Sequence, residues 1–396
     1  MNSNVSTLRT SSQLSYHLGG TTDPGSHGAE NQDRYLIGLH PKDDKSVIMA
    51  VIDGHGSHGS AIADVVKKFL WESLTTPEAL DELRSDPTTK MSSIFQGMHG
   101  EAESIIARNQ WSDRGGATAT VVVILHGEIL IHSHVGDSSC MFTGFGDIHP
   151  FILASTWEVP NIEKEASHSF IIDAGHNATS KRERDRMATM CPHPTLEGEP
   201  HMKFQFASHP SMTGQWYRNH SEPPDMTIWE RTSDGSFRAK VEGSDWDNGP
   251  QVWFKKNVMG EWATQIQTPD GAPDNAILAM TRALGDILLR PYGLTHEPDT
   301  VVIDLKGLIT TRPLTTLFID VASDGVWDAQ TPSEVAAQLC NFQANDRVNY
   351  IVKSFMNTNK RKYTTLFGGE ADNMTLVHCQ IHIETEHEGA VEDSDN

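Results

Sequence analysis

Residues 46–56 read SVIMAVIDGHG: an uncharged, largely apolar run, then an aspartate, then two glycines around a histidine. A short run of this kind, rich in β-branched and apolar side chains, reads as a buried strand. The strand ends at Asp53, and Gly54 and Gly56 let backbone and solvent come close to its carboxylate. Three other stretches repeat the pattern. Asp137 closes ILIHSHVGDSS (129–139), Asp324 closes TTLFIDVASDG (315–325), and Asp372 opens DNMTLVHCQIHI (372–383) from the other direction. Strand-end carboxylates beside small residues are suited to hard divalent cations such as Mg2+, Mn2+ and Ca2+. One Asp-Gly alone is most often a plain turn, so the weight lies in the recurrence.

Downstream of Asp53, Ile62, Val66, Phe69 and Leu70 recur at helical spacing over residues 60–74. Met91, Ile94, Phe95, Met98, Ala102, Ile105 and Ile106 mark a second helical face. Both helices should cover a sheet. TATVVVIL, then His126-Gly127, then EILIHSHV is a hairpin pattern that argues for antiparallel pairing. Thr331 to Glu334 form a capping box with Pro332 at the first helical position, starting a helix through about Phe342. Strand pairs mixed with amphipathic helices predict an α+β layered fold.

The 396 residues suit one extended domain. With 31 basic against 53 acidic residues, the net charge of -22 repels nucleic acid and anionic membrane surfaces and favours cations or basic partners. Cys140, Cys191, Cys340 and Cys379 lack C-x-x-C spacing, which supports neither a zinc module nor a disulfide scaffold. No apolar stretch approaches the ~18 residues needed to span a bilayer, and the polar start lacks a signal peptide's hydrophobic region. An intracellular protein of the cytoplasm or nucleus is the expectation. Residues 1–14 read as a disordered leader and 384–396 as an acidic disordered tail, leaving 15–383 as the folded domain. Between about 190 and 275 the chain is rich in Pro, His and Trp and reads as an inserted β-rich element, whose tryptophans are expected to form its core.

The blocks ENQDR (30–34), VIDGHG (51–56), GGATATVVV (115–123), HVGDSS (134–139), MTRALGD (280–286), ASDGVWD (322–328) and ADNMT (371–375) occur in this order. The ordered set closely resembles the metal-dependent Ser/Thr protein phosphatases of type 2C, the PPM family, over about residues 15–155 and 275–383. The resemblance implies an α-β-β-α sandwich of two antiparallel β-sheets flanked by helices. It also implies hydrolysis of phosphoserine and phosphothreonine in proteins at a binuclear Mg2+ or Mn2+ site. By resemblance Asp53, the Gly54 carbonyl, Asp324 and Asp372 are metal ligands, with Asp53 bridging. Two ions held together lower the pKa of a shared water and neutralise the phosphoryl oxygens. Asp33 would hold waters of the ions, and Asp137 and Asp328 match positions that bind a third, weaker ion in some members. Taken by themselves, Asp137 could pair with turn amides and Asp328 could cap a helix.

His55, fixed beside Asp53, is the candidate general acid for the departing Ser or Thr oxygen, as the resemblance also implies. Asp286 reads as structural. His132 and His134 share a strand face, but no third ligand accompanies them in the sequence. The chain departs from the family at Gly28, where many members carry a phosphate-binding Arg. It departs again at Ser139, where Arg is frequent, and at Gln32, where many have Glu; the last leaves one less charge beside the second metal. Two alternatives stay open: a pseudophosphatase that uses the fold as a binding module, and a small-molecule phosphatase. None of the proposed ligands falls in 190–275, so the insertion should govern substrate choice and be removable without loss of the chemistry.

Overall fold

The structure, a computed structural model, describes residues 8–9, 14–25, 30–111, 115–145, 150–155, 170–171, 176–178, 180–195, 197–198, 200–208, 216–218, 227–231, 237–239, 253–255, 264–311, 314–340, 347–367 and 371–383. The stretch Asp43–Ile52 is a strand, as its apolar run predicts, and it is buried on both faces. Ile48, Ala50 and Ile52 point into one core and Val47, Met49 and Val51 into another, the period-two alternation of a strand between two layers. Its sheet runs Asp299–Asp304, Ile129–Val135, Ala119–Leu125, Asp43–Ile52, Arg34–His40, all antiparallel. The second large sheet runs Leu8–Arg9, Leu14–Asp23, Met374–Ile383, Thr316–Ala322, Ser139–Phe145, Pro150–Ser155, Phe170–Ile171. Its final pair is parallel, a departure from two purely antiparallel sheets.

Three cores stack through the sandwich. The helices Gly59–Leu74 and Pro87–Asn109 close the first, setting Ile62, Val66, Leu70, Phe95 and Met98 against the first sheet. The sheets face each other across Val47, Met49, Val122, Ile124, Phe142, Ile319, Val377 and Cys379. The helices Pro332–Leu339 and Val348–Phe367 cover the outer face of the second sheet through Val335, Leu339, Ile351 and Phe355. Each such side chain, fully buried, contributes about 1.5–3 kcal/mol. The layer order is therefore helices, sheet, sheet, helices, which is the expected α-β-β-α sandwich.

Local chemistry sets the element ends. Asp86 accepts the Thr89 N–H at 3.1 Å and Pro87 follows it, which starts the second helix four residues before Met91. His126 and Gly127 both have positive φ, 53° and 70°, and Glu128 N–H donates to Leu125 O at 2.9 Å, so the predicted hairpin closes with a primed turn. The capping box forms as expected, but its helix ends at Leu339, short of Phe342. Among the described residues no helix is long and apolar enough to cross a membrane. Of the expected leader only Leu8–Arg9 and Leu14 are described; the former pair with Ser15 and Tyr16. The expected tail, 384–396, lies outside the described residues.

The inserted element contains a sheet ordered Phe237–Ala239, Thr227–Arg231, Lys203–Ser208, Thr264–Gln267, Ile277–Leu278, plus the pair Trp216–Arg218 and Trp253–Lys255. Trp216, Trp229 and Trp253 lie in these strands, while Trp246 and Trp262 fall outside the described residues. A fourth core joins Met202, Phe204 and Ile266 from the insertion to Met280, Ala283, Leu289 and Leu294. The insertion is thus anchored on the segment that follows it. Replacing 190–275 by a short linker uncovers those four residues, and the deletion protein should melt well below the parent. Phe204→Ala, which empties one buried ring, should cost about 3–5 kcal/mol in a urea titration with an unchanged slope.

Candidate active site

Antiparallel pairing brings the ends of some strands beside the starts of others, and five aspartates use this. Asp53 follows Asp43–Ile52, while Asp33 precedes its neighbour Arg34–His40, with Arg34 opposite Ile52. Asp324 follows Thr316–Ala322 and Asp372 lies two residues before Met374–Ile383, with Ala322 opposite Leu376. Asp137 follows Ile129–Val135. The carboxylates share one field. Burial, then the charges of Asp33, Asp324, Asp137 and Asp372, push the Asp53 carboxyl well above the usual range. Burial and the charges of Asp372 and Asp324 push Asp33 up to about 7, against hydrogen bonds from Thr375 and Ser323. Ser323 Oγ donates to Asp33 Oδ2 at 2.8 Å, while the buried Oδ1 has no hydrogen-bond partner.

An all-oxygen donor set with mutual repulsion and an orphaned buried carboxylate oxygen fits hard divalent cations. The backbone is tight enough to require glycine. A Cβ on Gly54 would lie 2.4 Å from Gly59 O, and one on Gly325 would lie 2.1 Å from Asn373 O. Gln32 meets the site through its amides: its backbone N–H donates to Asn373 Oδ1 and its side chain to Gly56 O, both at 2.8 Å. Asp328 N–H bonds Asp324 O at 2.8 Å, and the Asp328 carboxylate accepts from Tyr363 Oη at 3.4 Å. Ser139 donates to Asp137 O at 3.3 Å. Gly28 and His27 lie outside the described residues.

His55 stands on a short strand, Gly54–Gly56, which pairs with Gly115–Ala117, and that strand in turn pairs with Leu284–Gly285. This small sheet carries Asp286 to the site, so its carboxylate Oδ2 lies 2.7 Å from His55 Nε2. Asp286, which reads as structural in the sequence, thus touches the candidate general acid. Its place depends on Gly116, where a Cβ would lie 2.1 Å from Asp286 Oδ2, and on left-handed backbone at Gly285 and Asp286, φ 81° and 48°. The Gly-Gly of GGATAT was the signal for this contact, legible only with its partner in place. Burial works to lower the His55 pKa, but the charge and hydrogen bond of Asp286, with the charges of Asp137 and Asp324, hold it above the usual value. The His55 side chain as a whole retains 22% exposure, while its Nδ1 is buried and has no hydrogen-bond partner.

The rest of the GGATAT block ties two aspartate turns together. Thr118 N–H donates to Asp53 O at 2.8 Å, its Oγ1 lies 3.0 Å from Ser138 Oγ, and Thr120 Oγ1 donates to Ser138 O at 2.7 Å. His176 grips the same turn from the other side. Its N–H donates to Gly136 O at 3.2 Å and its Nδ1 accepts the Gly136 N–H at 3.1 Å, so Nε2 carries the proton offered to Asp299 at 3.0 Å. Asp299 also binds Arg282, which chelates the buried Glu183. The third ligand that His134 lacked in sequence thus has two candidates, His176 and Asp299, with donor atoms within 4.8 Å. The His134 and His176 rings, however, stack 4.3 Å apart at 5°, so their in-plane lone pairs run parallel and do not converge on an ion.

A family model described as Protein phosphatase 2C matches residues 24–189 and 266–362. The chain belongs to that family. It is similar to Protein phosphatase 2C 3 of Arabidopsis thaliana, 42% identical over 62 residues, which are 16% of this chain and 12% of that protein. It is also similar to Probable protein phosphatase 2C 12 of Oryza sativa subsp. japonica, 26% identical over 166 residues, 40% of this chain and 37% of that one. The match therefore spans well under half the length of either relative. In fold it is similar to the serine-threonine phosphatase 2C of Toxoplasma gondii, with TM-score 0.57, 15% identity, and coverage of 96% of this chain and 98% of that one. A C.elegans sex determining protein matches with TM-score 0.52 and 16% identity over 94% of this chain and 66% of that one.

The carboxylate field gives a pH signature. Asp33 holds its proton up to about 7 when folded but only to about 4 when unfolded, so between those values the folded state binds the extra proton. Without cations, stability should fall as pH rises through that interval. Mn2+ needs the ionised carboxylates, and at about 100 times its Kd it adds about 2.7 kcal/mol per site. Melting curves in chelator and in Mn2+ should diverge more at about pH 8 than at about pH 5; equal shifts at both would contradict the proposed donors.

Proposed function

We propose that this protein hydrolyses phosphoserine and phosphothreonine in proteins, with two divalent cations, Mg2+ or Mn2+, held by Asp53, the Gly54 carbonyl, Asp324 and Asp372. The observation that carries this is the set of mutually repelling carboxylates around Asp53 beside a histidine poised by Asp286. When bound, the cations supply a water of lowered pKa and neutralise the phosphoryl oxygens. Asp33, fixed by Ser323, orients water at the rim, and Asp137 and Asp328 are the candidate donors for a further ion.

His55 moves the proton. Asp286 accepts from Nε2 and stabilises the imidazolium, which leaves Nδ1–H to protonate the departing Ser or Thr oxygen. A side chain with a raised pKa is protonated over more of the neutral range, as an acid for a high-pKa alkoxide must be. Family membership supports the phosphoprotein substrate class, and Cys140, Cys340 and Cys379 are buried with raised pKa values, which disfavours a thiolate nucleophile there.

Phosphate release from a phosphothreonine peptide should require Mn2+ or Mg2+ and stop in excess chelator; full turnover in chelator would reject the proposal. Asp53→Asn should abolish turnover while the circular dichroism spectrum stays native. His55→Ala should slow the phosphothreonine peptide by about 10²–10⁴ but an aryl phosphate, whose leaving group needs no acid, by less than about tenfold. Equal losses on both substrates would remove the acid role. Gly116→Ala, which displaces Asp286, should reproduce the His55→Ala pattern more weakly.

A further inference from the structure

The strand Arg34–His40 leaves the catalytic edge directly after Asp33 and is the outermost strand of its sheet. Among the described residues no strand pairs with its outer side, and its residues from Arg34 to Leu39 are half-buried. Between this edge and the helix Gly59–Leu74 lies an open groove of about 470 Å3, lined by Leu36, Ile37, Asp64, Lys67, Lys68 and Trp71. Leu36 and Trp71, which pack on the helix-side core, make an apolar floor, while Ile37 packs into the core between the sheets and borders the groove at the strand edge. The Trp71 indole lies 3.6 Å from where a Cβ on Gly38 would sit. A larger side chain at that position would press on the ring.

The charges of the groove are unbalanced. Arg34 chelates Asp64, with Nε at 2.6 Å and Nη2 at 3.0 Å, which takes up the only carboxylate of the lining. Lys67 Nζ lies 5.9 Å from the Tyr35 ring centroid, and Lys68 reaches the exposed Glu72 at 3.9 Å. A cationic rim over an apolar floor, in a chain of net charge -22, is complementary to an extended segment with acidic and apolar side chains. An unpaired sheet edge beside a groove is also the arrangement that captures a peptide as an added strand.

We propose that this groove binds the N-terminal flank of the phosphopeptide substrate as an antiparallel strand along Arg34–His40. The inference rests on the phosphatase reading and names its substrate class: segments with acidic and apolar residues about three to four positions before the phosphorylated residue. The spacing follows from the strand, because Leu36 and Ile37 lie three and four residues beyond Asp33, roughly 10–13 Å at about 3.3 Å per residue. The direction follows from pairing. Arg34–His40 runs away from the catalytic edge, so an antiparallel partner, the more stable pairing per residue, runs toward it and delivers its phosphorylated C-terminal end.

The test uses the full chain with Mn2+, an aryl phosphate, and three phosphothreonine peptides of equal length. One has acidic and apolar residues three and four positions before the phosphothreonine, one has them after it, and one has basic residues before it. The first should show the highest kcat/KM, by about tenfold, and its advantage should shrink in high salt as the lysines are screened. Lys67→Glu combined with Lys68→Glu should remove most of that advantage through KM, with little change in kcat. Equal kcat/KM for the three peptides, a preference for the peptide acidic after the phosphothreonine, or an advantage that survives the double variant would each overturn the proposal. Should the wild-type protein turn over neither aryl phosphate nor peptide, the phosphatase reading itself fails. Fluorescence anisotropy with the same labelled peptides then decides the groove: tighter binding of the first, lost in the double variant, supports it, and equal binding overturns it.

Discussion

Carboxylates that repel one another in a poorly solvated rim are the constraint around which this protein is organised. Asp33 and Asp53 are both pushed toward their neutral forms by burial and by Asp324 and Asp372. Left alone, such a cluster opposes the folding of the edge that holds it, and the opposition grows as the acids ionise. Divalent cations reverse the sign of the interaction, because each ion converts several repulsions into attractions. The layers behind the rim must therefore resist a force that only the ligand relieves. Three stacked cores, with Ile48, Met49, Phe142 and Phe318 among their buried side chains, supply that resistance.

Close backbone approach converts the stiff sandwich into a site. Gly54 against Gly59, Gly325 against Asn373 and Gly116 against Asp286 are contacts that any Cβ would force apart. Thr118 and Ser138 then lock the Asp53 turn to the Asp137 turn through hydrogen bonds that need no charge. Short polar side chains suit this rim because a further carboxylate would add to the repulsion and a long side chain would fill the space the cations need. Asp286 is the exception, and it is matched directly by His55.

The residues just before the insertion, His176 and Glu183, brace the same arrangement, together with Arg282 and Asp299 from the chain beyond it. Glu183 is buried, and although burial works against its ionisation, hydrogen bonds and charge from Arg282 bring its pKa down to about 2. Asp299 is held ionised in the same way, by His176 and Arg282 acting against burial. This chain of paired charges ends on the two hydrogen bonds between His176 and Gly136, one residue before Asp137. His132 and His134, neutral because burial lowers their pKa values, fill the space beside it. A segment with no expected ligand of its own thus holds the backbone next to one.

Period-two and helical spacings are local properties, and they alone placed the strand at 46–52, the hairpin around His126-Gly127, the helices beginning near residues 60 and 332, and the candidate ligands at strand ends. Asp53 and Asp324 stand out as candidates because each follows an apolar run and precedes a glycine, and Asp372 because it opens such a run from the other direction. The contact of Asp286 was not legible because it is made with His55, 231 residues away in sequence, and through a left-handed backbone that nothing local requires. His176 and Thr118 went unread for the same reason: each acts through backbone groups of Gly136 or Asp53, which carry no residue-specific signal. The sequence by itself determined the layers and the charged groups that meet at their edge. Which groups touch was decided only by tertiary packing, because hydrogen bonds and close glycine contacts depend on distances of a few ångströms between segments that sequence separation does not encode.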